Sequence, residues 1–87
     1  MEYEVCLRQA ARKELDAFDG ADYARLARVI SGLETNPRPP RVKKLLDSGL
    51  WRIRTGSLRV VYSIDDDNKK IIIVRIARRT EDTYKGL

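Results

Sequence analysis

The stretch Trp51–Tyr62, WRIRTGSLRVVY, predicts two antiparallel strands joined by a tight turn. Gly56 and Ser57 lie between two runs rich in β-branched and aromatic residues. A two-residue loop with glycine at its first central position is typical of a type II′ turn. That turn fixes the strand register and sets Arg54 directly opposite Arg59.

The same register divides the hairpin into a basic face and an apolar face. Arg52 falls opposite Val61 and shares a face with Arg54 and Arg59. Like charges directly opposite each other destabilise a sheet, which makes this face a candidate functional site. Solvated arginines on an open sheet face are the alternative, and three arginines together favour anion binding. The other face carries Trp51, Ile53, Leu58, Val60, Tyr62 and Ile64, a surface for helices to cover.

Upstream of the hairpin, the pattern predicts one strand followed by two helices. Polar residues alternate with Tyr3, Val5 and Leu7, as in a half-buried strand that includes Cys6 as a buried thiol. Two apolar stripes at helical spacing follow, and we expect Gly20 to end the first helix. The stripes are Ala11, Leu15 and Phe18, then Tyr23, Leu26, Ile30 and Leu33. Asp22 is the expected cap of the second helix, and the prolines after Asn36 are expected to end that helix.

Downstream of the prolines, three strand-like segments (50–54, 58–64 and 70–78) form a predicted meander. The expected fold is therefore α+β: an antiparallel sheet, made of the meander and the N-terminal strand, packed on an N-terminal helical hairpin within one domain, residues 1–87. The Asp65–Asn68 segment is expected to be a hairpin turn rather than a calcium loop. An odd loop length there would place Arg75 and Arg79 on the basic face, and an even one would place Arg78 there.

Composition excludes several classes of protein. The chain has 87 residues and a formal net charge of +5, and residues 41–87 carry twelve basic and six acidic side chains. A basic surface favours an anionic partner such as RNA, DNA or an acidic protein. The absence of histidine and the single cysteine remove most metal and triad chemistry, so no metal or cofactor is expected. No membrane span or signal segment is evident, and a cytoplasmic location is expected.

Arginines without histidine or metal ligands are suited to holding phosphates and stabilising the charge that develops on them. RNA carries its own nucleophile, the 2′-hydroxyl group, so a protein can promote cleavage by positioning that group and neutralising the phosphorane. Tyr84 lies among Arg78, Arg79 and Lys85 and could stack on an unstacked base. Packing of the C-terminal tail onto the sheet is the alternative role for Tyr84.

The order of these elements resembles the RelE/ParE superfamily of toxins from bacterial and archaeal toxin–antitoxin systems. The resemblance spans nearly the whole chain. It rests on the loop Asn36–Pro39, the Lys43-Lys44-Leu45 run, the stretch Trp51–Tyr62, the Ile76–Arg79 segment and the following Tyr84.

The resemblance implies a microbial-ribonuclease-like fold and, for the RelE branch, a ribosome-dependent endoribonuclease that cuts mRNA in the A site. It implies that Arg59 binds the scissile phosphate, that Arg79 assists the leaving 5′-oxygen, and that Tyr84 orients the cut nucleotide. Arg54, with Arg52 beside it, would lie near the attacking 2′-hydroxyl. The remaining RNA-binding candidates are Lys43, Lys44, Arg78 and Lys85. The implied partners are a RelB-like antitoxin, mRNA and the 70S ribosome.

One departure from the family concerns the proton acceptor. Several RelE toxins have lysine where this chain has Arg52 and Arg54, and arginine does not lose its proton in proteins. Tyr84 is then the possible proton acceptor, and Arg78 competes with Arg79 for one family position. Two other functions remain open, namely a ParE-like inhibitor of DNA gyrase and an RNA-binding module that does not cleave.

Overall fold

The computed structural model describes residues 2–45 and 48–78. The two helices are α1, Gln9–Asp16, and α2, Gly20–Leu33. The five strands are β1, Glu4–Leu7; β2, Lys43–Lys44; β3, Trp51–Thr55; β4, Leu58–Asp65; and β5, Lys70–Arg78. They form one sheet in the order β1-β5-β4-β3-β2.

The predicted α+β architecture and the meander are confirmed, but the sheet is mixed rather than antiparallel. β1 runs parallel to β5, whereas the other three strand pairs are antiparallel. Both helices lie between β1 and the other four strands in sequence. The chain therefore crosses one face of the sheet between β1 and β2. The sequence pattern also missed β2, a two-residue edge strand whose lysines are both exposed.

The helix boundary differs from the prediction at one glycine. Gly20 begins α2 instead of ending α1, and its φ of 59° lies in the region that glycine tolerates best. The N-cap residue of α2 is Asp19, so Asp22 lies in the first turn of the helix rather than at its cap. Phe18 consequently belongs to the connection between the helices and packs against the core.

The helices cover the apolar face of the hairpin, as predicted. Leu58, Val60 and Tyr62 are fully buried, and Leu26 and Leu33 of α2 are fully buried in the same cluster. In contrast, Cys6 is exposed, so the prediction of a buried thiol is wrong. The alternation of β1 turns Val5 and Leu7 toward the core and leaves Cys6 on the opposite face.

A bulge in β5 decides which arginines share a face. The turn between β4 and β5 has an even length, with Asp65 paired to Lys70. Between Val61 and Tyr62, however, the register shifts by one residue of β5, so that Arg75 pairs with Val61. A bulge reverses the parity of every later residue in its strand. For Arg75 and Arg78, the even turn with the bulge therefore gives the arrangement that was expected from an odd turn.

Candidate functional site

The predicted hairpin register is confirmed, and it collects basic side chains on one face of the sheet. Arg54 pairs with Arg59, Arg52 pairs with Val61, and Lys43 of β2 pairs with Arg52. Residues paired across antiparallel strands point to the same face. We call these four side chains, Lys43, Arg52, Arg54 and Arg59, the basic face.

Two of the three arginines of the basic face are buried rather than solvated. Arg59 is 1% exposed and Arg52 is 9% exposed, and the Nε atom of each of the three arginines is buried. Removing a guanidinium group from water costs free energy, which is a feature of binding sites rather than of solvent-facing sheet surfaces. The interpretation as solvated arginines is therefore wrong for Arg52 and Arg59.

The two lysines of β2 lie on opposite faces of the sheet. Lys43 belongs to the basic face. Lys44 pairs with Trp51 of β3, and Trp51 pairs in turn with the core residue Tyr62 of β4. The Lys44 ammonium lies 5.7 Å from the centre of the Trp51 ring, and the Arg38 guanidinium lies 5.0 Å from it. Lys44 is thus separated from the arginines by the sheet, although it is one residue from Lys43.

Arg78 lies on the helix face rather than on the basic face. It pairs with the core residue Leu58, and its guanidinium donates to Asp22 Oδ2 at 2.9 Å and to Ser57 Oγ at 3.2 Å. Arg75 has the register position of the basic face, and its Nε contacts Glu14 Oε2 at 3.2 Å. The structure therefore separates Arg78 from the arginines with which the sequence analysis grouped it.

Glu14 of α1 accepts a hydrogen bond from the part of β5 that does not pair with β1. The pairing between β1 and β5 ends at Leu7 and Ile73, and further along β5 the Ile76 N–H group donates to Glu14 Oε1 at 2.8 Å. A side-chain acceptor here takes the place of a strand carbonyl, so the backbone of β5 stays fixed toward its end. No pattern in the sequence distinguishes Glu14 from an ordinary exposed helix acid.

Three predicted site residues, Arg79, Tyr84 and Lys85, lie outside the described residues. Their expected roles remain predictions.

Hydrogen bonds and an ion pair tie the proline-rich loop to β4 and to the turn that follows it. The Tyr62 hydroxyl donates to the Pro37 carbonyl oxygen at 2.8 Å, and Arg38 forms an ion pair with Asp66 at 2.8 Å. Tyr3 also donates to Asp66. The hydrogen bonds from Arg38 and Tyr3 lower the pKa of Asp66 to about 2, and burial raises the pKa of Tyr62 to about 12. These contacts hold the loop that leads into β2 and Lys43.

The basic face can bind a phosphate and neutralise it, but its arginines cannot remove a proton near neutral pH. In the parts of the chain that the structure describes, no cluster of acidic or cysteine side chains could hold a metal ion. Within those same residues, neither helix is long and apolar enough to cross a membrane. The arginines of this face can contribute electrostatic stabilisation and positioning.

Known proteins resemble this chain in sequence and in fold. The family model described as "ParE toxin of type II toxin-antitoxin system, parDE" matches residues 5–83. A relative from Methanocaldococcus jannaschii, named as the toxin RelE1, is 33% identical over 90 residues, which cover 99% of each chain.

Solved structures of high similarity come from toxin–antitoxin complexes. The archaeal RelE–RelB complex from Pyrococcus horikoshii contains a chain that is 32% identical, with a TM-score of 0.82, and the match covers 93% of this chain and 99% of that one. The RelBE2 complex from Mycobacterium tuberculosis contains one that is 26% identical, with a TM-score of 0.80 and coverage of 91% and 100%.

Two helices on one face of a five-stranded mixed sheet are thus shared with a chain of a toxin–antitoxin complex. The chain belongs to the RelE/ParE superfamily of type II toxin–antitoxin toxins, and its named relatives are RelE toxins.

Proposed function

We propose that the chain is a ribosome-dependent mRNA endoribonuclease that acts in the ribosomal A site without a catalytic metal and is neutralised by a RelB-like antitoxin. The observation that carries this proposal is the pairing of Arg54 with Arg59 on a face where Arg59 is 1% exposed. Like charges that face each other across two strands stabilise the protein poorly but suit a phosphate whose negative charge increases during reaction.

In the proposed reaction, the RNA 2′-oxygen forms a bond to phosphorus while the bond from phosphorus to the 5′-oxygen breaks. The 2′-hydroxyl group loses a proton and the leaving 5′-oxygen gains one, so the products are a 2′,3′-cyclic phosphate and a free 5′-hydroxyl group. We assign Arg59 to the non-bridging oxygens. We assign Arg54 and Arg52, which share its face, to the side of the attacking hydroxyl. We assign Arg79 to the leaving oxygen, and Tyr84 to the cut nucleotide and as proton acceptor, with Lys85 nearby on the RNA.

Placement on the ribosome limits how much this chain must supply. Arginine cannot serve as a general base, so cleavage depends on alignment of the 2′-hydroxyl with the phosphate, and such alignment is worth several orders of magnitude in rate. We assign Lys43 to the RNA backbone together with the arginines of its face. Lys44 and Arg78 lie on the other side of the sheet, so we assign them no contact with the scissile phosphate. The proposed site of action is the cytoplasm, where ribosomes are found.

The test uses purified toxin, programmed ribosomes and an end-labelled message. We expect the wild type to cut the message in the A site, Arg59→Ala to lose cleavage by at least 100-fold, and Arg54→Ala to lose less. Arg12→Ala is the matched control, because Arg12 is an exposed arginine of α1 that pairs with Asp16. An intact message with the folded wild type would refute the proposal.

Inhibition of DNA gyrase is the second candidate function, because the matching family model is described for a ParE toxin. A supercoiling assay with the same variants separates the two functions. Gyrase inhibition by the wild type that survives Arg59→Ala, together with intact message on ribosomes, would favour the ParE-like function. A chain that binds RNA but does neither would be an RNA-binding module.

A further inference from the structure

Arg78 joins three segments at the end of the sheet that carries Arg54 and Arg59. Its guanidinium donates to Asp22 in the first turn of α2 and to Ser57 in the β3–β4 turn, and it lies 5.5 Å from the centre of the Phe18 ring. One side chain therefore connects the N-terminal turn of α2, the hairpin turn and the end of β5.

The hairpin turn is the element that sets the relative position of Arg54 and Arg59. Ser57 lies between these two arginines in sequence, and the glycine before it has a φ of 62°, as a type II′ turn requires. Arg25 of α2 also lies against Gly56, so closely that any side chain at position 56 would displace it. Both contacts come from the side of the sheet opposite the basic face.

The ion pair between Asp22 and Arg78 is only partly buried, with 32% and 50% of the two side chains exposed. Ion pairs with this exposure contribute little to folding stability. The pair joins the end of β5 to α2, and Arg78 is only one register position from the Arg59–Ala77 pair.

We propose that Asp22 is a positioning residue for the cleavage reaction. By holding Arg78, and through Arg78 the Ser57 hydroxyl, Asp22 fixes the β3–β4 turn so that Arg54 and Arg59 keep the spacing a phosphate requires. Asp22 itself touches neither RNA nor the reacting atoms. The inference rests on the proposed function and extends it to the helix side of the sheet.

The test compares Asp22→Ala with Asp19→Ala. Both acids lie at the N-terminus of α2, and Asp19 makes no side-chain capping hydrogen bond there. In the ribosome assay, we expect Asp22→Ala to lower kcat by roughly 10- to 100-fold with KM changed less than twofold, since small misplacements of reacting groups cost about that much. Asp19→Ala should stay within twofold of the wild type, and Asp22→Asn, which keeps an acceptor, should fall between the two alanine variants.

Two further measurements separate positioning from loss of folding. Asp22→Ala should lower kcat by a smaller factor in an Arg59→Lys background than in the wild type. Positioning has less effect once the guanidinium group of Arg59 is replaced by an ammonium group. Equal fold-losses in both backgrounds, or a kcat within twofold of the wild type, would overturn the inference. Should Asp22→Ala not fold, Asp22→Asn takes its place in both comparisons.

The second measurement does not depend on cleavage. The ¹⁵N-resolved Nε–H signals of Arg54 and Arg59 should shift in Asp22→Ala and stay in place in Asp19→Ala, measured on the free protein. If the wild type leaves mRNA intact, the proposed function fails, and these signals alone decide whether Asp22 positions the arginines. Unchanged signals in Asp22→Ala would refute the positioning role.

Discussion

Removal of the Tyr62 hydroxyl group tests how the proline-rich loop is held to the sheet. Tyr62 is fully buried, and its hydroxyl donates to the Pro37 carbonyl oxygen at 2.8 Å. Tyr62→Phe keeps the ring and leaves that carbonyl without its donor. An unsatisfied buried polar group costs about 1–3 kcal/mol, so we expect the free energy of unfolding to fall by that amount.

The expected change in melting temperature follows from the length of the chain. With about 2.1 cal/mol/K of unfolding entropy per residue, 87 residues give roughly 180 cal/mol/K. Each kcal/mol then lowers Tm by about 5–6 °C, and Tyr62→Phe should lower it by about 5–17 °C. Circular dichroism melts at pH 7 and urea titrations measure the two quantities independently.

The pH dependence supplies a second signature, that of the buried Tyr62 hydroxyl group. Burial raises the pKa of Tyr62 to about 12, so the folded protein retains this proton where the unfolded chain loses it. The stability from Tyr62 is present below pH 10 and is lost as the pH rises through 12. We expect Tyr62→Phe to remove this part of the alkaline loss of stability.

Tyr23→Phe is the matched control, because Tyr23 is 41% exposed. It should change the free energy of unfolding by less than about 0.5 kcal/mol. A Tyr62→Phe protein as stable as the Tyr23→Phe protein would refute the argument that this hydrogen bond anchors the loop.

Three further predictions concern the turns and the core. Gly56→Ala should destabilise the protein by about 1 kcal/mol or more, because φ is 62° and Arg25 fills the space of the new methyl group. Urea titration measures this change, and stability equal to the wild type would contradict it. Asp66→Asn should reduce the loss of folding stability at acid pH. The hydrogen bond from Arg38 lowers the pKa of Asp66, so the contribution of Asp66 to stability is lost as the pH falls through about 2. An unchanged loss of stability at acid pH would disprove this. Ile73→Ala should cost about 2–5 kcal/mol, because the side chain is fully buried, and a smaller loss in thermal melts would show a core that can collapse.

The hairpin and its basic face could be predicted from the sequence because local rules fix both. A Gly-Ser turn sets the register, and the register sets which arginines share a face, so the pairing of Arg54 with Arg59 needed no tertiary information. The apolar stripes of the helices likewise predicted that the helices cover the apolar face of the hairpin, since such a stripe must be buried against another apolar surface.

Features that depend on tertiary contacts could not be predicted in this way. The bulge in β5 has no turn residue to mark it, yet it moves Arg75 to the basic face and Arg78 to the helix face. The parallel pairing of β1 with β5 and the two-residue strand β2 depend on partners distant in sequence. Burial of Arg59 to 1% exposure also went against the tendency of arginine to stay in water.

The supporting carboxylates were missed for a related reason. In the sequence, Glu14 is an ordinary helix acid and Asp22 is the expected cap of the second helix. Only the fold brings them to the backbone of β5 and to Arg78. Their spacing in the sequence matches no motif, because each contacts a residue more than fifty positions away.

The most direct test of the central claim is cleavage of a message with a single 2′-deoxynucleotide at the position the wild-type toxin cuts. Ribosomes programmed with this message and with its all-ribose counterpart are treated with the same toxin. The proposed mechanism predicts that the ribose message is cut to give a 2′,3′-cyclic phosphate end and that the deoxy-substituted message stays intact at that position. Equal cleavage of the two messages would contradict attack by the 2′-hydroxyl.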